Sequence, residues 1–176
     1  MKHLDWEKLS FGYMPTDYNV RCYYRDGKWG EIEVCSDEYI KLHIAATSLH
    51  YGQEAFEGLK AYRCPDGKVR VFRMEENAAR LQSTCRGIMM PEVPTELFCE
   101  MVKKVVRLNQ EYIPTYESGA TLYVRPLLIG TSAQVGVHPA NEYLFLIFVT
   151  PVGPYFKGGA KPITIKVSDF DRAAPH

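Results

Sequence analysis

No stretch of the sequence approaches the ~20 consecutive apolar residues of a membrane-spanning helix. The start, Met1-Lys2-His3-Leu4-Asp5-Trp6-Glu7, lacks the apolar centre of a secretory signal. An excess of charge is missing too: Lys+Arg and Asp+Glu stand at 21 each. Nothing therefore favours electrostatic capture of nucleic acid or of an anionic membrane. Cys22, Cys35, Cys64, Cys85 and Cys99 form no CxxC pair and are odd in number. That pattern suits free thiols in a reducing compartment better than a disulfide framework. The histidines (His3, His43, His50, His138, His176) are scattered without metal-ligand spacing. The phosphate-loop, GxGxxG, HExxH and GxSxG motifs do not occur, so metal hydrolysis and Ser-His-Asp acyl transfer have no starting point. What is present is a chain of 176 residues with 46% apolar content, enough for a packed core. A soluble, cytoplasmic globular protein is expected.

Along the chain, residues 1–17 read as a surface arm carrying Gly12, Pro15 and Asp17. Val20 to Tyr24 is β-prone, and Asp26-Gly27 favours a tight hairpin back into a strand from Trp29 to Val34. Thr47-Ser48 leads in as a short helical turn, and Ala55 to Tyr62 alternates as a strand. Pro65-Asp66-Gly67 is a second turn signal, with Val69 to Arg73 as the returning partner. The period then changes: Met74, Ala78, Leu81 and Cys85 recur at helical spacing, and Gly87 makes a stop. Thr95 opens a longer helix with a buried stripe of Leu97, Met101, Val105 and Leu108. Ala120 to Gly130 is a strand whose Pro126 implies an edge or a bulge. Thr131 to Asn141 is a loop. Tyr143 to Val149 is apolar on both faces, as a central strand would be. Ile163 to Val167 reads as a last strand. Strands in hairpins, two middle helices and further strands predict an α+β fold, a mainly antiparallel sheet with two helices packed on it. The expected divisions are the arm at 1–17, a small α+β domain at 18–156, and a connection at 157–176.

The chain is organised around Leu49 to Tyr62. Gly52 and Gly58 weaken a strand unless backbone or ligand must approach closely there. Arg80 lies beside Leu81 near the buried edge of its helix. It is either a snorkelling surface arginine or a planar fork donor for phosphate or carboxylate. Tyr123 and Arg125 share one face of their strand by the period of two. They make either a carboxylate receptor or a cation–π packing pair. Tyr51, Phe56 and Tyr155 suit a pocket wall or an aromatic core. Glu54 and Glu57 are too little to define an acid–base pair.

Taken together, these blocks are similar to a known family. His50-Tyr51-Gly52 followed by Phe56-Glu57-Gly58-Leu59-Lys60-Ala61-Tyr62 resembles the opening motif of the branched-chain amino-acid aminotransferases, fold-type IV pyridoxal-phosphate enzymes. The likeness continues through Val71-Phe72-Arg73, Asn77-Ala78-Ala79-Arg80-Leu81, Tyr123-Val124-Arg125-Pro126-Leu127 and Val135-Gly136-Val137. It recurs at Pro151-Val152-Gly153-Pro154-Tyr155-Phe156 and at Asp171-Arg172-Ala173-Ala174-Pro175.

The resemblance implies that Arg80 binds the phosphate of pyridoxal phosphate. Phe56, Tyr123 and Tyr155 would wall the substrate pocket, with Tyr51, Val135 and Val137 entering from a neighbouring subunit of a homodimer. Arg125 would help with substrate carboxylate. The implied reaction is reversible transamination of leucine, isoleucine and valine with 2-oxoglutarate. In the family the Schiff-base lysine follows the segment matching Asp171 to His176, so no catalytic residue is assigned within this sequence. The chain then corresponds to the N-terminal small domain and is expected to be inactive alone. A D-amino-acid aminotransferase, an aminodeoxychorismate lyase or a non-catalytic dimerisation domain are the alternatives.

Overall fold

A computed structural model describes residues 4–154 and 162–169. Tyr155 and the closing block at 171–175 lie outside the described residues.

Asp26 and Gly27 both take positive φ (51° and 75°). They turn β1 (Asn19–Arg25) back into β2 (Lys28–Trp29), as an Asp-Gly hairpin should. The return strand expected as one run is broken in two. β2 pairs Tyr24 with Trp29, whereas β3 (Glu33–Cys35) pairs Arg21 with Glu33. Residues 30–32 therefore face only residues 22–23, and the extra residue makes a bulge.

A short α1 (Thr47–Tyr51) ends on Gly52, whose left-handed φ of 60° terminates the helix. Then follow β4 (Glu54–Phe56), β5 (Leu59–Arg63) and β6 (Val69–Val71). α2 (Met74–Gly87) matches the sequence expectation at both ends, and α3 (Thr95–Leu108) begins where Thr95 promised. β7 (Thr121–Gly130) and β8 (Tyr143–Val152) complete an antiparallel sheet ordered β2-β1-β8-β7-β5-β6. β3 pairs with β1, and β4 pairs with β7.

α2 and α3 cover one face of this sheet. Ala55, Leu59, Leu122, Val124, Phe145 and Ile147 meet Leu81, Cys85, Phe98, Met101 and Val105 in one apolar cluster. Each large side chain buried there contributes about 1.5–3 kcal/mol. The stripe of α3 is wider than expected. Phe98, Cys99, Met101, Val102, Val105 and Val106 are buried, while Leu97 and Leu108 are only partly so. The helix packs on both α2 and the sheet, which needs more than one narrow seam. The opposite face carries a smaller cluster around Ile129, Leu144 and Leu146, flanked by Ile40 and Leu42.

Two further expectations need correction. Pro126 lies neither on an edge strand nor at a bulge, for β7 pairs with β8 on one side and with β4 and β5 on the other. The interior position is tolerated because the neighbouring strand is interrupted opposite it. The Glu57 N–H donates to the Pro126 carbonyl at 2.9 Å, and the return bond that an N–H would have made is omitted. Ile163 to Val167 forms no strand; it is irregular and exposed. Alternation alone does not make a strand without a hydrogen-bonding neighbour.

The arm runs over the end of β8. The Met14 N–H donates to Thr150 Oγ1 (2.8 Å), whose hydroxyl donates back to the Met14 carbonyl (3.0 Å). Thr16 Oγ1 donates to the Val149 carbonyl (3.1 Å), and the Gly153 N–H donates to that of Ser10 (3.3 Å).

All five cysteines are free, with Cys22, Cys85 and Cys99 buried. Burial pushes the Cys85 thiol up to about 11 from an ordinary 9.0, and it raises Cys22 and Cys99 as well. A thiol reagent at pH 8 should modify Cys35 and Cys64 first and the buried three only on unfolding; rapid labelling of native Cys85 would contradict this packing. The folded value lies above the unfolded one. The contribution of Cys85 to stability is thus intact below pH 9 and lost as pH rises toward 11.

Candidate active site

Strand alternation places Glu57 on the same face as Ala55 and Leu59, which is the helix-covered side. There it meets two residues of α2. Arg80 donates through Nε to Oε1 at 2.8 Å and through Nη2 to Oε2 at 2.6 Å, and Asn77 Nδ2 donates to Oε2 at 2.8 Å. The carboxylate side chain is 3% exposed, its arginine partner 68%. The paired carboxylate raises the Arg80 pKa, mainly through the side-chain hydrogen bond, so its charge is fixed. Arg80 is thus neither a loose surface arginine nor buried. One edge is clamped, and Nη1 has no protein partner among the described residues.

Phe56, Tyr123 and Arg125 come together on the other face of the sheet. Arg125 Nε donates to the Tyr123 hydroxyl at 3.0 Å. The guanidinium carbon sits 4.4 Å from the centre of the Phe56 ring and 5.2 Å from that of Tyr123. The receptor and the cation–π readings of this pair therefore coexist in one cluster. Gly58 is required by it: a Cβ there would lie 2.6 Å from the Tyr123 hydroxyl. Gly52 answers instead to backbone conformation, since nothing lies within 4 Å of a Cβ built on it. A cavity of about 300 Å³ is lined by Gly58, Asn77 and Tyr123 among others, linking the Glu57 cluster to the tyrosine.

Tyr51, Val135 and Val137 belong to a separate place. The Tyr51 hydroxyl donates to the Val135 carbonyl within the same chain. Gln134 braces the loop by donating from its backbone to Ala45 (3.1 Å) and from Nε2 to the His138 carbonyl (2.6 Å). Both valines are largely exposed. Tyr51 and Val137 line a cavity of about 420 Å³ with Glu54, Met89 and Pro139. The structure brings these three near one another, but not into the Phe56–Tyr123–Arg125 cluster.

Three residues escaped sequence reasoning. Glu57 could have been flagged, because an acid on the buried face of an alternating strand demands a cation or a donor. Asn77 becomes meaningful only once Glu57 is placed. Phe11, from the arm, stands edge-on to Tyr123 with ring centres 5.5 Å apart, and nothing local announces that contact. Among the described residues no cluster of His, Cys, Asp or Glu could hold a metal, and no helix is long and apolar enough to cross a membrane.

No protein-family model matches the chain. It is 50% identical over 175 residues to the branched-chain-amino-acid aminotransferase of Haemophilus influenzae, covering 99% of this chain and 51% of that protein. The crystal structure of the Escherichia coli branched-chain amino acid aminotransferase matches with a TM-score of 0.60 at 26% identity, over 77% of this chain and 41% of that one. That of the Thermobaculum terrenum branched-chain amino acid aminotransferase, in its PLP form, matches with a TM-score of 0.55 at 20% identity, over 78% and 40%. The α+β fold and the likeness read from the motifs are thus found in solved structures and curated relatives alike. The chain spans about half the length of the curated relatives it matches.

Proposed function

We propose that this chain is the small, N-terminal part of a pyridoxal-phosphate-dependent branched-chain amino-acid aminotransferase, and that it supplies the substrate-facing half of the site. The observation that carries the reading is the 50% identity sustained over 99% of the chain to an enzyme of that name. The geometry fits the cofactor. Arg80 is an exposed guanidinium whose Nη1 has no protein partner among the described residues, which suits a phosphate oxygen; its neighbour Asn77 lines the cavity shared with Tyr123. When bound, pyridoxal phosphate supplies an electron sink for the pair left on the substrate Cα.

The rest is done by side chains. Phe56 and Tyr123 form an apolar wall for a branched side chain. The Tyr123 hydroxyl holds Arg125 by Nε, leaving the far end of the guanidinium for a carboxylate such as that of 2-oxoglutarate. One wall therefore serves both an aliphatic and an acidic substrate. Tyr155 adds to it. Tyr51, Val135 and Val137, exposed and braced by their own loop, reach the pocket of a neighbouring subunit in a cytoplasmic homodimer. The lysine that shuttles the substrate proton is assigned to no residue of this chain.

The test is an amino-donor survey of the full-length protein with 2-oxoglutarate, followed by glutamate formation. Leucine, isoleucine and valine should give the highest kcat/KM. Preference for D-amino acids, or no transamination of branched-chain donors, would overturn the assignment. The chain by itself should give no borohydride-reducible adduct with pyridoxal phosphate; an adduct at one specific lysine would move the catalytic role into it.

A further inference from the structure

We infer that Glu57 is a positioning residue: with Asn77 it clamps the Arg80 guanidinium by its Nε–Nη2 edge and presents Nη1 as a pre-oriented donor to a phosphate. The inference rests on the reading of Arg80 as the phosphate contact given above.

The Glu57 side chain is 3% exposed and its counter-ion 68%, so the burden of desolvation falls on the acid alone. A carboxylate is a costly occupant of a face otherwise lined by Ala55 and Leu59, and an apolar pair of similar volume serves stability as well or better. The acid's placement is instead suited to its three contacts. Two go to Arg80 and one to Asn77. Asn77 precedes Arg80 by three positions and so stands on the same face of α2. Its amide fixes Oε2, and the carboxylate plane then fixes the guanidinium plane through a paired fork contact.

An exposed arginine without such a clamp samples many rotamers and must be ordered when it binds. Ordering it beforehand removes that cost from ligand binding. The ion pair also nearly cancels its own charge. The site must therefore hold an anion by geometry more than by long-range attraction, and a lysine at position 80 should not substitute for the arginine.

The experiment measures dissociation constants of the full-length protein for pyridoxal phosphate and for pyridoxal, which lacks the phosphate, alongside thermal stability. Glu57→Gln should weaken pyridoxal phosphate about tenfold and pyridoxal by no more than about twofold. Asn77→Ala should give a smaller change of the same kind, about threefold. In an Arg80→Ala background, Glu57→Gln should add no further phosphate-specific loss, as coupled residues require. Arg80→Lys should behave like Arg80→Ala. If Glu57→Gln weakens both ligands alike, or lowers stability with the phosphate preference intact, its role is structural and the inference fails. If Arg80→Ala leaves the ratio of the two constants unchanged, the reading of Arg80 fails as well. A ratio shifted by Arg80→Ala but not by Glu57→Gln overturns the positioning role alone. Should Glu57→Gln not fold, Asn77→Ala decides by the same ratio.

Discussion

Phe98→Ala is expected to lower the free energy of unfolding by about 3–5 kcal/mol. Phe98 is fully buried, and its ring stacks on Phe145 with centres 5.9 Å apart. It is the point at which α3 seats on β8. Phe145 in turn meets Trp29 edge-on at 6.2 Å, so the void left by truncation cannot close without moving the hairpin. Against a typical total of about 5–15 kcal/mol, such a loss is a large share. Urea titration should show a lower midpoint with the slope unchanged. Phe72→Ala is the control, because that ring is 77% exposed and should change stability by less than about 0.5 kcal/mol. A loss at Phe98 no greater than the control's would mean that α3 does not rest on β8 in solution.

The second large effect is expected at Gly153. A Cβ there would fall 2.1 Å from the carbonyl oxygen of Leu9 and 2.9 Å from its carbon. Both are backbone atoms, so no side chain can swing aside. Gly153→Ala should therefore lift the arm from β8, at a cost of about 1–3 kcal/mol. The bonds of Ser10, Met14 and Thr16 to β8 and its end lie next in line. Limited proteolysis should show new cleavage between residues 9 and 16. Phe11 leaves Tyr123 with the arm, so if the full-length protein is the transaminase proposed above, its KM for amino acid should rise more than kcat falls. An unchanged digestion pattern would show that the contact yields more easily than its geometry suggests.

Local signals carried much of the architecture. Asp26-Gly27 announced its turn, and Met74, Ala78, Leu81 and Cys85 with Gly87 marked both ends of α2. Tyr123 and Arg125 could be placed on one face because the period of a strand is rigid. What escaped depends on distant partners. Pro126 is tolerable in an interior strand only because the chain near Glu57 and Gly58, far away in sequence, leaves a gap for it. The Glu57–Arg80 pair joins the break between β4 and β5 to α2 across a hairpin, and no local pattern contains it. Ile163 to Val167 has the alternation of a strand but, among the described residues, no neighbour to pair with. Gly58 is a place of close approach, as a glycine within an alternating run implies; the approaching group, the Tyr123 hydroxyl, comes from a strand distant in sequence and has no local signal.

The strand order also sets a timetable. β1 pairs with β8 from Val20↔Ile147 to Tyr24↔Tyr143, so the first long strand finds its main neighbour only after nearly everything between them has been made. At ordinary rates of synthesis the interval is on the order of ten seconds. During that time Val20 and Cys22, both fully buried in the finished protein, face water on a hairpin too small to hold itself together. Central β7 waits far less, because β8 follows it after one short loop. Until β8 emerges, the nascent chain is thus expected to expose apolar surface that the finished fold covers. Pauses in translation before Tyr143 should then harm the yield of folded protein far more than pauses after Val152.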